Sequence, residues 1–108
     1  MNEKQFQTKF EKRLRSEFPG CFITHNDPRS RQGVLDTLIL YRDRWAMLEF
    51  KRSATASHRP NQDHYVEHFD EMSYASFVYP ENEEEVIDAL QHTFGFTRPS
   101  RVSQPQPA

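Results

Sequence analysis

Three ionisable residues, Asp36, Glu49 and Lys51, interrupt a stretch that otherwise reads as two apolar strands. Leu35 to Tyr41 and Trp45 to Phe50 are apolar apart from Asp36, Thr37 and Glu49, and the polar run Arg42-Asp43-Arg44 separates them. That is a hairpin pattern. With Arg42 and Asp43 as a two-residue loop, Tyr41 pairs with Arg44, and counting back sets Asp36 opposite Glu49. Opposed residues on one face have Cβ atoms about 4.5–5.5 Å apart. Alternation puts Lys51 on the face of Glu49. A one-residue slip would separate the two acids.

Two carboxylates held side by side repel unless a cation lies between them. Oxygen donors of this kind suit Mg²⁺, with Mn²⁺ as a substitute. A metal there polarises a phosphoryl oxygen and acidifies water, and Lys51 can orient that water or stabilise charge on phosphorus. The other reading is a structural ion network, in which Lys51 neutralises one acid and a neighbouring arginine the other. Spacing alone leaves both open.

Asp36, twelve intervening residues, then Glu49-Phe50-Lys51 resembles the catalytic signature of the PD-(D/E)XK nucleases, which have the restriction-endonuclease-like fold. Gly33-Val34-Leu35-Asp36, Leu48-Glu49-Phe50-Lys51-Arg52 and the later Gln62 look most like the VRR-NUC branch, with Leu35 where that branch usually has Pro. The resemblance covers about residues 11 to 90. It implies that Asp36 and Glu49 bind metal, that the Phe50 carbonyl adds a ligand, and that Lys51 is the catalytic lysine. Glu11-Lys12-Arg13-Leu14 resembles the first-helix segment of Holliday-junction resolvases, whose glutamate helps bind metal. This makes Glu11 a candidate catalytic and metal residue. Its other reading is a surface acid paired with Arg15 at i+4, and Glu3 and Gln7 lie earlier on the same helical line.

The elements that must position these residues follow from periodicity. Phe6, Phe10, Leu14 and Phe18 make one apolar stripe, so residues 3 to 18 are predicted helical, capped by Asn2 and ended by Pro19-Gly20. Cys21 to His25 is a short strand. Cys21 reads as a small apolar residue rather than a nucleophile. One hairpin face should carry Val34, Leu38, Leu40, Trp45 and Met47, and the other Leu35, Ile39, Ala46, Leu48 and Phe50. A strand apolar on both sides belongs in a sheet covered on both faces. Residues 52 to 60 read as a mobile basic loop beside the site. Pro60 should start a helix through Asp70, with Gln62, Val66 and Phe69 on its inward face and Tyr65 adjoining. Ser73 to Tyr79 is a strand and Glu81 to Phe94 a final helix with acids in its first turn. The expected fold is α/β: a three-layer, restriction-endonuclease-like core with a mixed sheet of about four strands, in the order α-β-β-β-α-β-α. The domain is expected to span 1–96 and a disordered, Pro- and Gln-rich tail 97–108.

With 108 residues the chain suits one core. One cysteine excludes an internal disulfide, and no apolar run approaches a membrane span. With no signal-like start, a cytoplasmic location is expected. His64 and His68 are spaced to chelate zinc, but no third ligand stands at matching spacing. A net charge of −2 is poor for a nucleic-acid binder. It is unevenly spread, however. Between Pro28 and Pro60 seven basic residues face three acids, two of which metal would cover, so the site surface can be positive. Arg29, Arg31, Arg52, Arg59 and Gln62 are the candidate DNA contacts. The expectation is a Mg²⁺-dependent DNA endonuclease, with branched DNA a candidate substrate, working as a homodimer or with a larger partner. Its rivals are a non-cleaving nucleic-acid-binding or accessory module of the same fold, and a protein in which the three charges are structural.

Overall fold

The computed structural model describes residues 1–27 and 34–95. Helix α1 (Glu3–Glu17) opens on a reciprocal cap: the Asn2 side chain accepts from the Gln5 amide at 2.8 Å, and the Gln5 side chain accepts from the Asn2 amide at 2.9 Å. Strand β1 (Phe22–His25) follows, then β2 (Thr37–Tyr41) and β3 (Arg44–Phe50). Helix α2 (Gln62–Met72), strand β4 (Tyr74–Val78), a 3₁₀ turn (Pro80–Asn82) and helix α3 (Glu83–Thr93) complete the chain. The expected element order is therefore present.

The sheet runs β1-β2-β3-β4. β1/β2 and β2/β3 are antiparallel, and β3/β4 is parallel. A parallel neighbour needs a crossover, and α2 supplies it. The hairpin takes the expected register, with Tyr41 opposite Arg44. Arg42 adopts φ +57° at the turn, where a glycine or asparagine would be relaxed.

Two apolar layers enclose the sheet. On one face Ile39, Tyr41, Ala46, Leu48 and Phe50 pack with Phe6, Phe10, Leu14 and Phe18 of α1 and with Val86, Ile87 and Leu90 of α3. On the other, Met47 and Ala75 pack with Trp45, Tyr65, Val66 and Phe69 under α2. Arg13 ties the two helices of the first layer, bonding Glu83 at 2.7 Å as well as Glu84. Two of the acids in the 81–85 run are thus neutralised within the fold.

Three expectations are corrected. Leu35 packs with Met47 on the α2 face, not with Ile39. The chain bends at Asp36, ahead of β2, so strict alternation does not reach back to Leu35. Asn26 holds that bend: its amide donates to the Asp36 carbonyl at 2.7 Å and its side chain to the Leu35 carbonyl at 2.8 Å. Helix α2 starts at Gln62, two residues after Pro60, because Asn61 takes a left-handed φ of +74°. The final helix is split, since Asn82 turns back to bond the Tyr79 amide and the Phe77 carbonyl before α3 begins. No helix among the described residues is long and apolar enough to cross a membrane. Arg29, Arg31, Gly33 and the tail from residue 97 lie outside the described residues.

Candidate active site

Asp36 and Glu49 meet one step beyond the last β2/β3 pair, Thr37 with Leu48. The Asp36 backbone amide donates to Glu49 Oε1 at 3.1 Å. The hydroxyl of Thr37, fully buried, donates to Asp36 Oδ1 at 2.8 Å and fixes that carboxylate's rotamer. Both acids line a polar cleft of about 370 Å³ at the end of the sheet, with Glu11, His25, Arg59 and Gln62 among its walls.

Burial, then the charge of Asp36, pushes the Glu49 carboxyl up to about 7, against the pull of the Asp36 amide and the charges of Lys51 and Arg59. Burial also raises Asp36, against the Thr37 hydroxyl. The pair is costly to ionise without a cation.

This has a testable consequence for stability. Unfolded Glu49 loses its proton near pH 4.5, whereas the folded residue keeps it to about 7. Across that window the folded state binds more protons, so this group's contribution to stability falls as pH rises and levels off above 7. Solvent in the cleft screens part of the effect, leaving about 1–2 kcal/mol. In EDTA, the wild-type Tm should fall relative to Glu49→Gln by about 5–10 °C between pH 4.5 and 7.5. Mg²⁺ at pH 7.5 should restore it in wild type alone. Parallel Tm curves for the two proteins would refute the assignment.

Lys51 lies one residue past β3, its amide bonded to the Val78 carbonyl. Its ammonium donates to the Ser57 carbonyl at 3.1 Å and to Gln62 Oε1 at 2.9 Å. It sits behind the cleft wall and forms no ion pair with Glu49 among the described residues. Gln62 is 1% exposed, and its Oε1 also accepts from the Arg59 amide at 2.9 Å. The inward glutamine expected at this position is therefore the residue that orients Lys51. Lys51 and Arg52 line a neighbouring depression with Asn2, Glu3, Ala56 and Ser57. The loop expected to be mobile is tied down: Ala54 donates to Glu81, Ser57 accepts from Lys51, and the His58 ring stacks on Phe77 at 3.9 Å and meets Asp63.

Glu11 reaches the same cleft, but it is no surface acid, being 7% exposed. Its Oε2 accepts from Gln7 at 2.9 Å and meets His25 Nε2 at 2.7 Å, while Arg15 stands 3.8 Å from Oε1. Sequence reading missed His25 and Thr37. Thr37 was legible as the neighbour of Asp36, and β1/β2 pairing sets His25 opposite Thr37. His64 and His68 lie stacked on α2 away from the cleft, with ring centroids 6.0 Å apart.

The donors fit a hard divalent cation. Among the described residues no three His, Cys, Asp or Glu are grouped so as to hold a metal ion together. Mg²⁺ does not require such a group, because it is usually held by one or two carboxylates together with waters and substrate phosphates. Asp36 and Glu49 supply those two carboxylates. The Phe50 side chain is buried in the aromatic core, so only its carbonyl is available as a ligand.

No protein-family model matches the chain, and no curated protein matches it. Among solved structures the chain is similar to a VRR_NUC domain protein, with 18% identity, a TM-score of 0.60, and coverage of 96% of this chain and 97% of that one. The likeness spans both proteins nearly end to end and concerns the fold: this chain has the restriction-endonuclease-like α/β fold of a VRR_NUC domain.

Proposed function

We propose that the chain is a Mg²⁺-dependent nuclease that hydrolyses DNA phosphodiester bonds. The observation that carries this reading is the pairing of Asp36 and Glu49, both raised by burial, at the mouth of a polar cleft with Lys51 held behind them by Gln62. A structural network would have closed an ion pair between Lys51 and Glu49.

Asp36 and Glu49 would hold the cation, with the Phe50 carbonyl as a further ligand. When bound, the cation supplies Lewis-acid polarisation of the phosphoryl oxygen and a more acidic water. Lys51 donates towards charge that develops on the phosphoryl oxygens, once substrate draws its ammonium from the Ser57 carbonyl. Catalytic hydrogen bonds often tighten only in the substrate complex. Glu11 would supply the carboxylate for a second cation position, were its contact with His25 given up. Arg59 faces the substrate. Gln62, buried at 1% exposure, acts through Lys51 rather than by direct contact, and Arg52 lies in the neighbouring depression, with Arg29 and Arg31 as further candidate backbone contacts. A chain this small covers few base pairs, so the working form is a homodimer or a complex with a larger partner. Two sites in a dimer would suit branched DNA.

The test is cleavage of supercoiled plasmid and of a four-way junction in Mg²⁺, Mn²⁺ or EDTA, for wild type and Lys51→Ala. Nicking that needs metal and is lost in the variant supports the reading, and the preferred substrate decides between branched and general DNA. A folded wild type that binds DNA in Mg²⁺ and never cuts it would replace the enzyme with a binding module.

A further inference from the structure

One wall of the cleft contributes only Glu11 to the proposed chemistry. α1 presents Glu3, Lys4, Gln7, Thr8 and Glu11 to it. These positions lie along one side of a helix. Facing them are Arg59 and Gln62, at the start of α2. α1 packs on the sheet face of Ile39 and Phe50, and α2 on the face of Met47. The two walls therefore come from opposite faces of the sheet, and the cleft straddles the sheet end that carries Asp36 and Glu49.

Among the described residues Lys9, Lys12 and Arg52 form no ion pair and lie outside the cleft. Arg13, Arg15 and Arg44 are spent on protein acids. Lys4 and Arg59 line the cleft with no carboxylate partner among the described residues, although Glu3 shares the wall of Lys4. Thr8 is exposed beside Lys4 and offers a hydroxyl donor. Every nucleotide of a strand carries a backbone phosphate, so the scissile phosphate has a charged neighbour on each side. A strand whose scissile phosphate lies over Asp36 and Glu49 thus carries its neighbours towards both walls.

We propose that Lys4 and Thr8 form a phosphate subsite on α1, which holds a backbone phosphate next to the scissile one, on the side away from Arg59. The inference rests on the nuclease reading of Asp36 and Glu49 and adds the substrate feature they need: a single strand gripped through its backbone on both sides of the cut. Such contacts carry no sequence information.

The probe is a short fluorescent oligothymidylate in Mg²⁺, with binding followed by anisotropy against KCl. A Lys51→Ala background keeps the strand intact. Lys4→Ala should weaken binding about 3- to 5-fold near 0.1 M salt and reduce the slope of log K against log salt by about 0.7. Thr8→Val should weaken binding about 2- to 10-fold with the slope unchanged. Lys12, exposed on α1 outside the cleft, is the control: Lys12→Ala should leave the slope alone. An unchanged slope in Lys4→Ala, or an equal loss in Lys12→Ala, overturns the subsite. So does failure of the parent to bind at all, and plasmid cleavage by the wild-type protein then decides separately whether the nuclease reading survives.

Discussion

Asp36→Asn will make the metal-free protein more stable and the enzyme inactive. The two effects share one cause. At pH 7.5, above the Glu49 value of about 7, both carboxylates are charged in the metal-free cleft, and the Asp36 charge adds to the cost of ionising Glu49. Asparagine keeps an oxygen to accept from the buried Thr37 hydroxyl, so local geometry survives. Removing one of two facing charges should raise Tm in EDTA by about 4–8 °C, the equivalent of about 1 kcal/mol. The same change removes a cation ligand, and with it several kcal/mol of transition-state charge stabilisation. Cleavage should fall about 10³-fold or more, and Mg²⁺ should no longer raise Tm. A structural network predicts the opposite sign, since neutralising one member of a satisfied ion network destabilises the fold. A lower Tm for Asp36→Asn in EDTA would therefore defeat the active-site reading, whatever the cleavage assay gave. Thr37→Val is the graded companion. It leaves the carboxylate in place but unheld, and should cost about 10- to 100-fold in activity or metal affinity.

Such a trade of stability for chemistry is why the pair could be found in the sequence at all. A core strand that carries Asp36 and Glu49 at matched positions across a hairpin needs a cation or an ion network to hold them, and either reading marks the pair. The register followed from the polar loop at Arg42 and Asp43, and the pairing of Tyr41 with Arg44 delivers it. The inward side of α2 was equally legible, because Gln62 sits on the line of Val66 and Phe69. What stayed hidden depends on contacts between distant segments. The approach of His25 to Glu11 needs β1 paired to β2 and α1 laid across the sheet. Leu35 changes face because Asn26, nine residues earlier, pins the bend at Asp36. Alternation also says nothing about where a long side chain ends. Lys51 was placed by spacing beside Glu49, yet its ammonium is drawn behind the wall by a carbonyl and an amide.

Phe10→Ala should be the most damaging single change to the fold. Phe10 is 1% exposed, and its ring centroid lies 5.8 Å from that of Phe6 and 5.7 Å from that of Phe50. Phe50 is packed edge-on against both α1 rings. The cluster fastens α1 to the end of β3, where Phe50 stands in sequence between Glu49 and Lys51. Truncation removes burial and leaves a cavity, together worth about 3–5 kcal/mol. Against a total of about 5–15 kcal/mol for a domain, that is a large share. Tm should fall by about 15–30 °C, and Phe10→Leu should cost less than half as much, since it fills most of the hole. The functional effect follows from the neighbouring residue. Glu11 and the wall of Gln7, Thr8 and Lys4 ride on the same helix, so loosening α1 should raise KM for DNA at temperatures where the variant is still folded. Thermal melts in EDTA with cleavage assayed well below each Tm separate the two effects. A loss under about 5 °C, worth near 1 kcal/mol, would mean that α1 is held by something other than this aromatic contact, and the cleft's second wall would need another support.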